Sequence, residues 1–387
     1  MSAATETTAG ASAPPWRTIG FPGRYVQGPG ALAALGPVLA ELGARRACTI
    51  LDASVAATLA PAVDATLAGA GVSWARVDFA HECTAATIAA LTEAARAFQA
   101  DAIVTIGGGK AIDSAKGAAR ARRLPIVVCP SAASSDAPTS RLIVRYDEQH
   151  RVAGVDMLAR NPDAVIVDTD VIARAPKRLF AAGIGDALSK FFEVAQCERA
   201  QGTNGFGTRA LPTALRMAAQ TRETLYAAGA QAWRDVSEGR LTEAVEQVVE
   251  ATVLHSGIGF ESGGLSLAHA LIRGLTAVPA MAANLHGELV AFGTLVQLFV
   301  ENAPQTEIER LATLLDAVEL PLTLAQLGQP AALTPQQAAM LADATLAASY
   351  SRHMTPPLTA PRLLEGLARA DAFGRAWRAR VDPARSH

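Results

Sequence analysis

The spacing of apolar and polar positions changes character once along the chain. In the N-terminal part, short apolar runs recur between helical stretches. Ala47 to Leu51 (ACTIL) reads as a buried strand ending at Asp52, and Val72 to Phe79 alternates as a second. Ala102 to Ile106 (AIVTI), Pro125 to Cys129 (PIVVC) and Ala164 to Val167 (AVIV) read as further strands. Between them, Ser54 to Gly69, Ala85 to Gln99 and Ala111 to Arg122 carry helical spacing. Strands that alternate with helices predict a mostly parallel sheet with helices on its faces. Past about Ala175 the strand-like runs fade. Long Ala/Leu/Glu-rich segments take over, such as Leu211 to Ala228, Glu243 to Ser256 and Pro335 to Ala348. The expected fold class is therefore an α/β N-terminal domain followed by an all-α C-terminal helical bundle, with the boundary near Val171 to Pro176.

Length and composition fit two domains. The chain has 387 residues, half of them hydrophobic, so it can bury a large core without disulfides. Its four cysteines, Cys48, Cys83, Cys129 and Cys197, lie far apart with no C-x-x-C pair, as expected for reduced thiols in the cytoplasm. Residues 1–18 are expected to form a disordered leader: Met1 to Pro15 is Ala/Thr/Ser/Pro-rich and lacks the basic start and apolar core of a secretory signal. No uncharged run reaches the roughly 18 apolar residues of a membrane span. With a net charge of −2 and no basic block, nucleic acid is not an expected partner.

Gly107, Gly108 and Gly109 follow the Ala102–Ile106 strand and precede Lys110 and a helix. Glycines let the backbone approach a ligand closely, and a helix start offers free N–H groups to a pyrophosphate. The turn is neither a Walker A loop nor the usual G-x-G-x-x-G, and a plain tight strand–helix turn is the competing reading. Asp52, at the end of its strand, can accept hydrogen bonds from a ribose diol and would repel a 2′-phosphate, which favours NAD over NADP; capping of the next helix is the alternative. Lys110 and Lys116, two of only four lysines, follow the turn and could help neutralise phosphate.

Three further segments place chemistry in apolar surroundings. Asp186 is read as opening an apolar helix, His269 lies among Ala268, Ala270 and Leu271, and His286 begins another apolar helix. A buried charge is costly unless paired or bound to metal. One carboxylate and two imidazoles from three helices would form a tripod with an open coordination position, as catalytic zinc requires. Read residue by residue, the Asp could equally be a cap and each His a hydrogen-bonded core residue. The 17-residue separation of the two histidines is no local metal signature.

The motifs in order resemble the glycerol dehydrogenases, a zinc branch of the iron-containing alcohol dehydrogenase and dehydroquinate synthase-like superfamily. The resemblance rests on FPGRYVQGPGAL (Phe21 to Leu32), IGGGKAIDSAK (Ile106 to Lys116), SSDAP (Ser134 to Pro138), LFAAGIGDALSKFFE (Leu179 to Glu193), SGIGFESGGLSLAHA (Ser256 to Ala270), LHGELVAFGTLVQL (Leu285 to Leu298) and VELPLTLAQL (Val318 to Leu327). It implies an NAD-binding α/β domain over residues 19–173 and a helical metal- and substrate-binding domain over 174–387. It implies Asp186, His269 and His286 as metal ligands that also meet the substrate. Cofactor contacts fall on Asp52, Gly108, Gly109, Lys110, Asp113, Ser131, Ser134, Ser140, Leu142 and Tyr146, and the contact to the polyol falls on Asp136.

Three positions depart from the family pattern. Ser131 stands for a threonine. Ala280 to Asn284 replaces a polar run before the second histidine, making that side more apolar. Lys190 stands where iron-dependent relatives place a further histidine, which leaves three protein ligands and favours zinc over iron. The implied reaction is oxidation of a vicinal polyol, glycerol to dihydroxyacetone, by hydride transfer to NAD, in a cytoplasmic homo-oligomer, often an octamer in this family. The alternative is a dehydrogenase of a related small diol or 2-hydroxycarboxylate. His255 and His353 are proton-accepting candidates by residue type alone.

Overall fold

The computed structural model describes residues 13–147 and 152–381. Most of the expected leader, residues 1–12, lies outside them. Arg17 and Thr18 at its end are tied down: Arg17 donates to the Ala210 carbonyl at 2.8 Å, and the Thr18 N–H donates to Thr208 Oγ1 at 3.0 Å.

Six strands form one parallel sheet: β1 (Tyr25–Gly28), β2 (Arg46–Asp52), β3 (Ser73–Phe79), β4 (Ala102–Gly107), β5 (Ile126–Pro130) and, after an antiparallel ribbon of β6 (Leu142–Tyr146) and β7 (Val152–Met157), β8 (Ala164–Asp168). The order across the sheet is β1-β8-β5-β4-β2-β3. Five of these strands stand where the apolar runs place them. β1 and the ribbon are additional: β1 is only four residues of half-buried chain, and β7 keeps Val152, Val155 and Met157 exposed, so neither carries a clean burial pattern.

Side chains alternate across the sheet. Ala47, Leu51, Val104, Ile106 and Val127 pack on one face with Leu59, Val63 and Leu67 of the Ala53–Gly69 helix. Cys48, Ile50, Ile103 and Val128 pack on the other with the Ala85–Ala97 and Gly109–Arg122 helices. All four cysteines are free and buried. The chain moves from β2 outward to β3, then returns past β2 to β4 and continues to β5. The connections therefore diverge between β2 and β4. In an open α/β sheet the crevice at the carboxyl ends of two such strands is where ligands bind.

After β8 the chain is helical, as expected. The Lys177–Arg199 helix is buried over most of its surface and packs against the Pro212–Ser237, Ser256–Gly263 and His286–Val300 helices. The apolar core on its side is continuous with one face of the sheet. No helix among the described residues is long and apolar enough to cross a membrane.

Candidate functional site

The residues singled out near the glycine turn gather at the carboxyl ends of β2, β4 and β5. Asp52 ends β2 and Gly107 ends β4. A Cβ on Gly107 would meet Asp52 Cβ at 2.9 Å, so only glycine lets these two strand ends close up. Gly108 precedes the Gly109–Arg122 helix without any side-chain cap, leaving its first N–H groups facing the crevice. Asp52 does cap the following helix, accepting from the Ser54 N–H at 2.9 Å and the Ser54 hydroxyl at 2.7 Å, both through Oδ1. Ser131 continues from β5, its N–H bonded to the Gly107 carbonyl at 3.0 Å, and Ser134 and Ser140 follow in the same loop.

Asp113 is buried, and its Oδ2 accepts from the Val144 N–H at 3.0 Å; burial raises its pKa. It thereby pins the ribbon that carries Leu142 and Tyr146. Burial pushes the Tyr146 hydroxyl up to about 12. The two lysines separate. Lys110 is exposed and ion-paired with Glu82 at the crevice rim. Lys116 is fully buried and donates to the carbonyls of Ala137 and Leu142 at 2.6 and 2.9 Å, so it holds the 137–142 loop and does not face a phosphate.

Asp186, His269 and His286 converge. Their ligand atoms all lie within 4.8 Å of one another. Asp186 does not open its helix, as the sequence reading had it. The helix begins at Lys177 and Asp186 lies in its middle, where no capping role exists. His269 is in the first turn of the Leu267–Ala277 helix, and His286 is the first residue of the His286–Val300 helix. Close approach makes the convergence possible. A Cβ on Gly287 would lie 1.8 Å from the Ala182 carbonyl oxygen, and a Cβ on Gly183 would lie 1.8 Å from that of Ala133. These two glycines dock the Asp186 helix against the helix of His286 and against the loop that carries Asp136.

Asp186 Oδ1 stands 3.3 Å from His269 Nε2 and 3.6 Å from His286 Nε2. Tetrahedral zinc with bonds of about 2.0–2.1 Å spaces its ligand atoms about 3.4 Å apart. Asp186 Oδ2 is buried with no hydrogen-bond partner among the described residues, an orphaned acceptor of the kind a metal satisfies. The donor set therefore fits zinc. The Asp186 and His269 side chains are almost fully covered, whereas that of His286 is half exposed, so the tripod opens on one side.

Two neighbours on the Asp186 helix complete the cluster. Asp186, Lys190 and Glu193 are spaced i, i+4 and i+7 and share one helix face. Glu193 Oε2 meets His269 Nδ1 at 2.5 Å, while its Oε1 accepts the backbone N–H groups of Ser266 and His269 at 2.9 and 3.0 Å. Burial opposes ionisation of Glu193, but His269 and Lys190 hold its pKa below the ordinary value. Lys190 Nζ lies 2.6 Å from Asp186 Oδ1, 3.0 Å from His269 Nε2 and 3.1 Å from Asp136 Oδ2. Burial works against its charge, yet Asp136, Asp186 and Glu193 raise its pKa above the usual lysine value. Burial likewise opposes the Asp186 carboxylate, and Lys190 with the two histidines holds it well below its ordinary range. Glu193 escaped the sequence reading, although its seven-residue offset from Asp186 was there to be read.

Asp136 joins the same cluster, its Oδ2 also accepting the Ser256 hydroxyl at 3.0 Å. Ser256 follows a stretch of wider helical turns, Ala251–His255, in which the Val253 carbonyl accepts the Thr139 hydroxyl at 2.8 Å. That local widening is typical of functional helices. Of the other histidines named, His255 lies 3.4 Å from Glu250, and His353 Nδ1 lies 2.7 Å from the Leu265 carbonyl. Ala282 and Ala283, in the segment that departs from the family pattern, stand exposed close before His286.

Residues 22–169 match the family model described as iron-containing alcohol dehydrogenase. The chain is 40% identical to a glycerol dehydrogenase of Escherichia coli over 362 residues, covering 93% of this chain and 98% of that one. The crystal structure of glycerol dehydrogenase from Schizosaccharomyces pombe superposes with a TM-score of 0.88 at 32% identity, covering 95% of this chain and 94% of that one. A probable glycerol dehydrogenase from Sinorhizobium meliloti gives 0.87 at 34% identity, covering 93% and 100%. A parallel nucleotide-type sheet joined to a helical region with a convergent Asp/His/His cluster defines an oxidoreductase of the iron-containing alcohol dehydrogenase class. Within that class, the chain belongs to the glycerol dehydrogenase family.

Proposed function

We propose that the protein oxidises a vicinal polyol, glycerol to dihydroxyacetone foremost, with NAD as hydride acceptor and a single zinc ion held by Asp186, His269 and His286. The observation that carries this reading is the convergence of those three side chains around a buried carboxylate oxygen with no other partner. When bound, zinc would supply a Lewis acid that lowers the pKa of a substrate hydroxyl, and NAD a ring that accepts hydride.

The chain's own residues do the rest. Glu193 accepts a hydrogen bond from His269 Nδ1–H, which fixes the ring and leaves Nε2 as a ligand. Asp136, held by Ser256 and Lys190, accepts a hydrogen bond from a second hydroxyl and so favours diols. Asp52 faces the ribose. Gly108 and Gly109 with the helix start behind them receive the pyrophosphate, and Lys110 adds charge at the rim. Ser131, Ser134, Ser140, Leu142 and Tyr146 line the remainder of the cofactor site, and Asp113 keeps the ribbon in register. The buried walls around Asp186 exclude water from the reacting centre. A homo-oligomer is the assembly that accompanies this reading.

The test is NADH formation, followed spectrophotometrically, from glycerol, propane-1,2-diol, butane-2,3-diol and 2-hydroxy acids, with and without a chelator. Diols should give NADH, the chelator should abolish it, and added zinc should restore it. No NADH from any diol in zinc-replete protein would overturn the reading. Asp136→Asn should impair diol oxidation more than oxidation of simple alcohols; equal losses would remove its role in reading a second hydroxyl.

A further inference from the structure

We propose that Lys190 is a built-in competitor for the metal, because its ammonium and a divalent cation claim the same lone pair on His269. The inference rests on the metal reading above and concerns how tightly this chain can hold the ion.

His269 engages Glu193 through Nδ1 at 2.5 Å, so in the neutral ring that a metal requires, Nε2 carries the one available lone pair. An ammonium has donors only, so at 3.0 Å Lys190 can bond Nε2 only by donating to that lone pair. A zinc–imidazole bond of about 2.0–2.1 Å needs the same lone pair. The competition extends to Asp186, whose Oδ1 takes Lys190 at 2.6 Å and stands 3.3 and 3.6 Å from the two imidazole nitrogens. Lys190 is one helical turn from Asp186 and its side chain is 1% exposed, so it cannot retreat into solvent.

A retreat within the cluster does exist. Asp136 Oδ2 lies 3.1 Å from Nζ, and Asp186 Oδ2 has no other partner. Metal loading therefore requires Lys190 to release His269, and Asp136 is the acceptor that can keep it. Formal charge points the same way. Three carboxylates, Asp136, Asp186 and Glu193, surround one lysine, and removing that lysine leaves the pocket more attractive to a dication. Lys190 thus sets the metal affinity below what the three ligands alone would give.

The experiment is a zinc titration of the full chain, stripped with a chelator and followed against a chromogenic competitor, for wild type, Lys190→Met, Lys190→Gln and Lys190→Arg. Loss of one hydrogen bond from a charged donor corresponds to about 10- to 100-fold. Lys190→Met and Lys190→Gln should tighten zinc binding by that factor. Lys190→Arg, which keeps the charge, should bind no more tightly than wild type. Equal affinity in all four chains overturns the competition while leaving the metal reading intact. No zinc uptake by any of them overturns both. Wild type supplies a check that needs no variant: with only four lysines in the chain, the Lys190 signal in protein labelled with 15N at lysine Nζ must shift as zinc binds. A signal unmoved by bound zinc overturns the inference.

Discussion

Glu193 is not itself a proposed ligand of the metal, cofactor or substrate, yet it fixes the one imidazole of the cluster that is almost fully covered. Carboxylates behind a ligating histidine typically govern metal affinity by 10- to 100-fold. Glu193→Gln should therefore weaken zinc binding by about that factor, measured by competition titration; unchanged affinity would reduce Glu193 to a helix-start acceptor for Ser266 and His269. Asp52 carries two roles that one variant separates. Its cap on the Ala53–Gly69 helix is worth about 1 kcal/mol, so Asp52→Ala should lower the melting temperature. If it also faces the ribose, the same variant should relax the preference for NAD over NADP, read from the ratio of kcat/KM values. A lower melting temperature with an unaltered ratio would leave only the cap. Both residues were present in the sequence as ordinary acids. Asp52 could be singled out because it ends a strand, whereas Glu193 needed the helix phase and the partner helix before its purpose was visible.

Elements meet in this protein through glycine, and the cost of filling one such contact is calculable. A Cβ at position 183 would sit 1.8 Å from a backbone oxygen of the loop that leads to Asp136. Overpacking of a rigid contact costs about 1–3 kcal/mol, sometimes more. Gly183→Ala should lose at least that in urea unfolding. It should also lower kcat, because the Asp136 loop and the Asp186 helix would be pushed apart. Full activity in a destabilised protein would show that the loop can shift without harm. The wider turns at 251–255 act on the same loop from the other side, through Thr139 and Ser256. The strands and most helices could be read from burial period alone. The middle position of Asp186 in its helix could not: the Gly183–Gly185 pair resembles a helix start, and only dense packing against two backbones explains glycines inside a helix.

At the scale of the whole molecule, the strand order and the helical region bring two sets of residues to one place. Asp136, on a loop after β5, and Asp186, on a helix some fifty residues later, share a lysine only because the carboxyl end of a central strand and the helical region dock there. A ligand that binds this folded arrangement and not the unfolded chain stabilises it. Zinc at about 100 times its dissociation constant should add about 2.7 kcal/mol and raise the melting temperature, and a chelator should reverse the rise. A melting temperature indifferent to both would argue against a metal at this cluster.

The sequence by itself determined the alternation of strands and helices, the turn to an all-helical C-terminal part and the glycine turn after β4, because burial period and backbone freedom are local properties. It also marked Asp186, His269 and His286 as costly to bury. Tertiary structure alone decided that these three share a point, that Glu193 and Lys190 stand against it, and that Lys116 is a buried clamp. Those facts depend on distances between segments far apart in the chain, which close packing fixes and no local pattern encodes.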